Sequence, residues 1–487
     1  MRLSYILNAI SLMMMYTGIF LLLPVVVALI YHDNVSIVPF LSASILSAGC
    51  GYLIRKVYKK SAELENLNDI KKSEALFIVA LSWIVFGIIS AIPYLFYNFS
   101  VIDALFESVS GITTTGATIF THFNYPKALF FWRSLTQWLG GLGIIVLFVA
   151  VLPQFAVAGR QMFFAEAPGP TEDKFTPRVR NTASILWRWY LGLTVLLTCL
   201  LTLVGMPFFD SVCNALSTLS AGGFSPNSQS VMGYHIPAAT WLILIFMFFA
   251  GASFNLQYMA FQRRNPFLLF KSDEFKLYFA IALLMSSLIS IMLVHAHNYN
   301  VYDAIRHSLF QVVSLMTSTG AASIDYTKWS YSAQILLFIV MFFGSCASSA
   351  GGGIKMTRWI LVYKSMKNEI VRVLHPNAVV NVKVDDKVVA PEVLRQVVVF
   401  VFFYFMLFSI TAIIITLVEQ NHTLGLTSSI TALGNIGPGF GSIGPMSSFE
   451  NLHLATKAIL IFNMLVGRLE LIPFLVMLQR DFWSIKL

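Results

Sequence analysis

Four short segments of the chain end alike, and their shared pattern decides the fold. The first runs Phe106-Glu-Ser-Val-Ser-Gly-Ile-Thr-Thr-Thr-Gly116. The other three are Cys213-Asn-Ala-Leu-Ser-Thr-Leu-Ser-Ala-Gly-Gly223, Phe310-Gln-Val-Val-Ser-Leu-Met-Thr-Ser-Thr-Gly320 and Thr427-Ser-Ser-Ile-Thr-Ala-Leu-Gly-Asn-Ile-Gly437. Each has the length of a short helix, is too short to cross a bilayer, and carries Gly at its eleventh position. An internal repeat of this kind has to be settled before any other feature of a fold.

The composition places these segments in a membrane protein. The chain has 487 residues, of which 57% are hydrophobic and only 11% are charged. Soluble proteins carry about 25% charged residues, so this chain cannot coat several water-soluble domains. The composition therefore excludes a soluble enzyme, a disordered chain and a nucleic-acid-binding domain, and it predicts an all-α polytopic membrane protein in a lipid bilayer.

Ten apolar stretches are long enough to cross a membrane. A bilayer core about 30 Å thick needs about 20 helical residues. The first stretch is long for a signal peptide and is not followed by a small-residue cleavage site, so we interpret it as a retained span. The predicted spans are 6–30, 37–54, 75–97, 128–152, 184–206, 240–261, 276–296, 334–362, 396–418 and 455–478.

The basic residues indicate the direction of these spans. The net charge is +9, and Lys and Arg concentrate in the gaps after the second, fourth, sixth and eighth spans. The opposite gaps hold only Lys127, Arg306 and Lys328, with Lys457 at the start of the last span. By the positive-inside rule, both termini are cytoplasmic. All four Gly-ended segments then lie on the outer side.

The order of spans and Gly-ended segments predicts four copies of one unit: span, short pore helix, loop, span. One copy cannot enclose a pore, whereas four copies around a pseudo-four-fold axis can. The predicted divisions are two N-terminal transmembrane helices over 1–70, then pore repeats over 71–158, 159–272, 273–390 and 391–487, the third with a broken helix.

The Gly-ended loops have the chemistry of a cation filter. Gly reaches backbone conformations with φ > 0 that side chains disfavour, so alternate unusual dihedrals can turn successive carbonyls toward one axis. Rings of carbonyls replace the hydration shell of a monovalent cation, and Thr or Ser hydroxyls can add oxygens. The candidate filter residues are Thr113, Thr114, Thr115, Gly116, Ser220, Ala221, Gly222, Gly223, Thr317, Ser318, Thr319, Gly320, Gly434, Asn435, Ile436 and Gly437.

Acidic residues near the pore helices have two interpretations each. Asp103, Asp210 and Asp303 are candidate N-caps of the short helices, and they are also candidates for a cation-attracting charge at the mouth. Glu107 is a candidate for a side chain facing the vestibule, although a first-turn Glu is also favoured by the helix dipole.

The loop motifs together resemble the Trk/Ktr/HKT superfamily of potassium and sodium transporters. The resemblance lies in Thr-Thr-Thr-Gly-Ala at 113–117, Ser-Ala-Gly-Gly-Phe at 220–224, Thr-Ser-Thr-Gly at 317–320 and Gly-Asn-Ile-Gly-Pro-Gly at 434–439. The two additional N-terminal spans are similar to those of the TrkH/TrkG type.

This resemblance implies potassium as the transported ion, because the first loop has Gly where some sodium-conducting relatives have Ser. It implies a homodimer in the bacterial inner membrane with one pore per subunit. It also implies a TrkA-like cytosolic ring of RCK type that binds the nucleotide, while this chain itself binds no cofactor.

One span contains an interruption. Gly344-Ser-Cys-Ala-Ser-Ser-Ala-Gly-Gly-Gly353 falls within the predicted span 334–362, and each Gly costs about 1 kcal/mol in a helix interior. The interruption is either a packing kink of small residues or a flexible loop that obstructs the path under the filter. The family resemblance implies the second, with Ala350, Gly351, Gly352, Gly353 and Lys355 in an intramembrane gate.

Arg468 is a lone cation deep in the last predicted span. An ionised residue at that depth needs partners inside the bundle, and Glu470, two residues on, lies on a different helix face. Arg468 is expected to point into the pore or onto the interrupted helix. It is interpreted as a structural partner of loop carbonyls or as an electrostatic barrier and gate latch, and the resemblance implies an arginine beside the gate.

Other function classes have little support. An inverted-repeat transporter needs copies of opposite orientation, whereas each unit here has two spans, so all copies face the same way. An enzyme needs an acid/base pair in the spans, which are poor in acids, and no Cys or His spacing indicates a metal site. Gly140-Gly-Leu-Gly143 predicts close helix packing, and the basic segments 160–181 and 364–395 are candidate docking segments for the cytosolic partner.

Overall fold

A computed structural model describes residues 3–63, 72–141, 179–377, 380–385 and 387–469. Most of these residues are helical, which confirms the predicted all-α class. The described strands are β1 (Lys383–Val384) and β2 (Lys387–Val388), and they pair antiparallel with Lys383 opposite Val388.

We number the α-helices of the described residues in chain order. They are α1 Leu3–Phe20, α2 Leu22–Ile30, α3 Asn34–Glu63, α4 Lys72–Leu95, α5 Val101–Ile112, α6 Lys127–Gly141, α7 Val179–Leu203, α8 Phe208–Leu219, α9 Pro237–Ala250, α10 Phe254–Gln262, α11 Asp273–His297, α12 Val301–Met316, α13 Tyr331–Val340, α14 Met356–Leu374, α15 Pro391–Glu419, α16 His422–Leu433 and α17 Leu454–Leu469.

Six candidate spans in the described residues identify a multi-pass membrane protein. They are 6–30, formed by α1 and α2, and parts of α3, α4, α7, α11 and α15. In five of them 28–33% of the residues are buried in the protein, which leaves broad apolar faces for lipid. In α4 the fraction is 61%, so α4 lies inside the bundle.

One predicted single span is wrong in form, and the break predicted in another is present. The stretch 240–261 is two helices, α9 and α10, bent by 100° at residues 251–253. A side chain of the second helix stabilises this break: Gln257 Nε2 donates to the carbonyls of Phe249 and Ala252 at 2.7 and 3.0 Å. The stretch 334–362 is α13 and α14, separated by the non-helical residues 341–355, which begin well before the glycine run.

The other two predicted spans are described only in part. Helix α6 covers 127–141 of the predicted 128–152, and α17 covers 454–469 of the predicted 455–478. The remainder of both stretches, Glu470 and residues 160–178 of the first docking segment lie outside the described residues. The predicted domain boundaries stay predictions.

Four short helices, α5, α8, α12 and α16, each follow a candidate span and lead into a Gly-ended loop. The N-cap interpretation of the acidic residues is wrong. The caps are Ser100, Pro207, Asn300 and Asn421, and each Asp is the third residue of its helix. Asp103 pairs with Lys457 at 2.6 Å and Asp303 with Arg306 at 2.8 Å. Their charges are therefore balanced locally.

A buried ion pair joins the first pore helix to its neighbours. Glu107 on α5 is fully buried, and its Oε1 lies 2.8 Å from Arg133 Nε on α6. Glu107 also accepts from the backbone N–H of Ile119 at 2.9 Å, and Arg133 donates to the carbonyl of Ser225 at 3.4 Å. Glu107 therefore does not face the vestibule: it connects α5, α6 and two loops.

Glu107→Gln should strongly destabilise the protein, because it leaves the Arg133 charge buried without its partner. The expected loss in free energy of unfolding is about 3–5 kcal/mol. The double variant Glu107→Gln/Arg133→Met, which removes both charges, should recover part of that loss. Thermal unfolding of purified protein in detergent measures both, and a single variant that melts with the wild type would contradict the structural role.

Candidate functional site: four Gly-ended loops and the loop beneath them

The four Gly-ended loops share one backbone conformation. In each, φ is positive at two positions separated by one residue: Thr114 and Gly116, Ala221 and Gly223, Ser318 and Gly320, Asn435 and Gly437. The first position of every pair carries a side chain despite the steric cost of φ > 0. Strain of this kind persists only where the surrounding structure holds it.

Backbone hydrogen bonds hold each loop against the end of its own helix. The N–H of the residue before each final Gly donates to the carbonyl five residues earlier. The four bonds are Thr115 to Ser110 at 2.9 Å, Gly222 to Ser217 at 2.9 Å, Thr319 to Ser314 at 2.8 Å and Ile436 to Thr431 at 2.8 Å. The sequence repeat is therefore matched by an equivalent local structure.

Close contacts between successive loops form a closed ring. A Cβ added at Gly116 would lie 2.2 Å from the carbonyl oxygen of Gly222. The corresponding distances are 1.9 Å from Gly223 to Thr319, 2.0 Å from Gly320 to Ile436 and 2.6 Å from Gly437 back to Thr115. In every case the neighbour's oxygen belongs to the residue before its own final Gly. Only Gly fits these positions.

Hydrogen bonds reinforce each neighbouring pair of loops. Gln137 on α6 donates to the Gly222 carbonyl at 2.6 Å and accepts from Phe224 N–H at 3.1 Å. Asn435 Nδ2 donates to Thr115 Oγ1 at 3.0 Å. The remaining bonds are Met232 N–H to the Ala322 carbonyl at 3.1 Å and Tyr326 O–H to the Gly439 carbonyl at 3.1 Å. Gln137 is not among the residues that the sequence singles out, because a polar amide in an apolar stretch is the only signal that it gives.

The loops that form the ring carry side-chain oxygens as well as backbone carbonyls. Thr114 Oγ1 and Asn435 Oδ1 are buried and have no hydrogen-bond partner among the described residues. One shared cavity is lined by Gly116, Gly223, Gly320 and Pro438. Such an arrangement can replace the hydration shell of a monovalent cation that enters through the cavity.

The interrupted segment 341–355 lies directly against the base of the ring. Gly352 N–H donates to Ser318 Oγ at 2.6 Å. A Cβ at Gly351 would lie 2.5 Å from the Thr317 carbonyl oxygen, and one at Gly352 would lie 2.5 Å from that of Gly434. The glycine run is therefore part of a loop between two helices and contacts the Gly-ended loops through backbone atoms.

Two cations hold adjacent carbonyls of this loop. Lys355 Nζ donates to the Gly351 carbonyl at 2.6 Å, and Arg468 Nη1 donates to the Ala350 carbonyl at 3.0 Å. Arg468 Nη2 also donates to the carbonyls of Gly140 and Gly141, which end α6. Arg468 thus joins the loop to two other parts of the bundle.

Glu274 anchors the same loop from α11. One oxygen of its carboxylate accepts from Ala347 N–H at 2.7 Å and from Thr357 N–H at 3.1 Å. It therefore fixes the middle of the loop and the first turn of α14. Two carbonyls at the α9–α10 bend also accept hydrogen bonds from this loop. Cys346 N–H donates to the Gly251 carbonyl at 2.9 Å, and Ala350 N–H donates to the Ala250 carbonyl at 3.2 Å. Glu274 was missed because a first-turn acid is common in helices.

The glycines at the end of α6 make the close contacts that the sequence predicts. A Cβ at Gly140 would lie 1.8 Å from the carbonyl oxygen of Ile112, at the end of α5. One at Gly141 would lie 2.6 Å from the Tyr190 hydroxyl. Gly143, the last glycine of that motif, lies outside the described residues.

Comparison with known proteins decides the family. The TrkH family model, described as "Cation transport protein", matches residues 42–484. The chain belongs to the TrkH family. This finding confirms the resemblance that the loop motifs carry.

Members of the TrkH family match this chain along nearly its whole length. The Trk system potassium uptake protein TrkH of Salmonella typhimurium is 34% identical over 472 residues, 95% of each chain. The TrkG protein of Escherichia coli is 33% identical over 94% of each. The crystal structure of the potassium transporter TrkH from Vibrio parahaemolyticus has a TM-score of 0.88 and 31% identity, and the match covers 99% of this chain and 100% of that one.

Ser at the filter glycines should lower the potassium-to-sodium flux ratio. At Gly223 and Gly320 the new Cβ would meet a backbone oxygen at 1.9 and 2.0 Å, so the ring must widen. We expect a loss of selectivity of about tenfold, equivalent to about 1.4 kcal/mol. Gly192→Ser is the matched control, because nothing lies within 4 Å of its Cβ position. An unchanged ratio in all four filter variants would exclude the filter assignment.

Releasing the loop beneath the ring should raise flux. Arg468→Ala removes charge-assisted hydrogen bonds, each worth about 1.5–3 kcal/mol, and so should increase potassium flux per folded molecule by about tenfold or more. Deleting Ala350–Gly353 should act in the same direction. Arg468→Lys keeps the charge but lacks the planar fork, so its potassium flux should lie between those of the wild type and Arg468→Ala. A packing role predicts that flux per folded molecule falls in both the alanine and deletion variants.

Proposed function

We propose that this protein carries potassium across the bacterial inner membrane through the ring of Gly-ended loops. The observation that carries this proposal is the closed set of glycine–carbonyl contacts among residues 113–116, 220–223, 317–320 and 434–437. Four strands held this closely present backbone oxygens at fixed separations, which suits a dehydrated monovalent cation. Relatives that match the chain nearly end to end are named as potassium uptake proteins, which supports potassium as the cargo.

We propose that segment 341–355 is the gate of this pathway. Its buried residues Ala350, Gly351 and Gly352 contact the base of the filter loops, where a non-helical segment obstructs an ion leaving the ring. Lys355 and Arg468 hold two adjacent carbonyls and place positive charge beside the path, which opposes a passing cation. Opening requires these bonds to break together.

We further propose a homodimer with both termini in the cytoplasm and a cytosolic RCK-type ring that carries the nucleotide. The bias of Lys and Arg toward alternate gaps supports this orientation, and the "Trk system" names of the relatives suit a transporter of several components. The candidate docking segment 364–395 includes the exposed end of α14, where Met366, Ile370 and Val373 are all more than half exposed.

Flux measurements in liposomes test this function. Purified protein should take up potassium faster than sodium, and addition of the cytosolic ring with nucleotide should change the rate without changing the ion preference. The pathway is defined by the filter, so Gly320→Ser should alter the preference even without the ring. Equal potassium and sodium uptake by wild-type protein, or uptake no faster than in empty liposomes, would contradict the proposal.

A further inference from the structure

A cavity of about 560 Å³ lies beside the first filter loop but is separate from the ring. It is bounded by the connection between α4 and α5, by residues 119–126 after the first filter loop, and by Glu450 before α17. None of the filter or gate residues lines it. Its volume falls in the range of small-molecule sites, about 300–1,000 Å³.

Several aromatic residues contribute to its lining. Phe96, Tyr97, Phe99 and Tyr125 all line the cavity. The rings of Tyr97 and Tyr125 stand nearly perpendicular, at 84° with centroids 6.3 Å apart, and the Phe99 ring lies 5.5 Å from that of Tyr125. These rings therefore pack against one another at the lining of the cavity.

These rings are held in place before any ligand arrives. Tyr97 O–H is 2.7 Å from Ser36 Oγ on α3, and Ser36 donates in turn to Asp33. His122 stacks on Tyr125 at 4.5 Å, and the Tyr125 hydroxyl lies 3.2 Å from His122 Nε2. A site fixed in this way loses little conformational entropy on binding.

The charge of the lining is negative. Asp103 and Glu450 supply carboxylates, and no Lys or Arg is among the described lining residues. Asp103 is neutralised by Lys457 at 2.6 Å, whereas Glu450 is exposed and has no ion-pair partner among the described residues. The remaining charge is that of one carboxylate next to aromatic faces, which favours a monocation.

The donor set suits an organic cation better than a metal. The described residues contain no group of three His, Cys, Asp or Glu side chains that could hold a metal ion. Aromatic faces attract ammonium groups through the ring quadrupole and are the common recognition element for quaternary ammonium. A single carboxylate then balances the charge.

We propose that this cavity binds a small organic ammonium ion of the choline type. The aromatic rings of Tyr97, Phe99 and Tyr125 contact the alkylated nitrogen, and Glu450 supplies the counter-charge. The site shares no residue with the filter, so choline binding and potassium transport can be tested independently.

Calorimetric titration of the purified, detergent-solubilised protein with choline tests the site. Choline should bind, and its neutral isostere with carbon in place of nitrogen should bind at least about tenfold more weakly, equivalent to about 1.4 kcal/mol. Glu450→Gln and Tyr125→Leu should each weaken choline binding by about tenfold. Tyr125→Phe keeps the ring face and should bind as the wild type.

Two further arms separate the possible outcomes. If the natural ligand is a lipid headgroup, choline binding should fall in phosphatidylcholine nanodiscs, where the lipid competes, and should remain in phosphatidylglycerol nanodiscs. Equal choline binding in both kinds of nanodisc indicates a free ligand. Gly223→Ser should keep choline binding while changing ion selectivity, and Glu450→Gln should keep ion selectivity. Equal affinity for choline and its neutral isostere, or wild-type binding by both Glu450→Gln and Tyr125→Leu in folded protein, would overturn the proposal.

Discussion

The contact between a loop glycine and the carbonyl of the next loop is the constraint on which the rest of the structure depends. It recurs from Gly116 to Gly222, Gly223 to Thr319, Gly320 to Ile436 and Gly437 to Thr115, so the fourth loop closes on the first. A side chain at any of these glycines would push two loops apart. The short helices, the buried Glu107–Arg133 pair and the amide of Gln137 all hold backbone in the register that these contacts need.

The segment beneath the ring depends on the same geometry. It takes its position from Ser318 and from the backbone of Thr317 and Gly434, which belong to two of the filter loops. Arg468 then connects it to the end of α6, and Glu274 to the start of α11. Charge-assisted hydrogen bonds are stronger than neutral ones, so the bonds from Lys355 and Arg468 strengthen the hold on this loop. A displacement of α11 or α14 would act on this loop through Glu274.

The sequence predicts those parts of this site that have an unusual local sequence. Glycines at equal spacing, a glycine run inside an apolar stretch and a lone arginine in the last span each violate an expectation for an ordinary membrane helix. The TrkH family match and the helical fold confirm the class of protein that these marks indicate. The roles assigned to the individual filter and gate residues stay predictions.

Long-range contacts explain what the sequence analysis missed. The α9–α10 bend is stabilised by Gln257 and by Cys346, which is nearly a hundred residues away. Gln137 and Glu274 bind loops that are distant in the chain. The sequence around each therefore contains only an amide or an acid at the start of a helix, which does not indicate these contacts. Thr114, Ala221, Ser318 and Asn435 have positive φ without being Gly. Hydrogen bonds of each loop to its own helix and close contacts with the neighbouring loops hold them there.

Anomalous diffraction from crystals grown in rubidium tests the central claim most directly. Rubidium is a close chemical substitute for potassium and can be located by its own scattering. If the four loops form a filter, anomalous peaks should lie within the ring bounded by Gly116, Gly223, Gly320 and Gly437. Rubidium peaks that occur only elsewhere in the protein, with none inside the ring, would contradict the account.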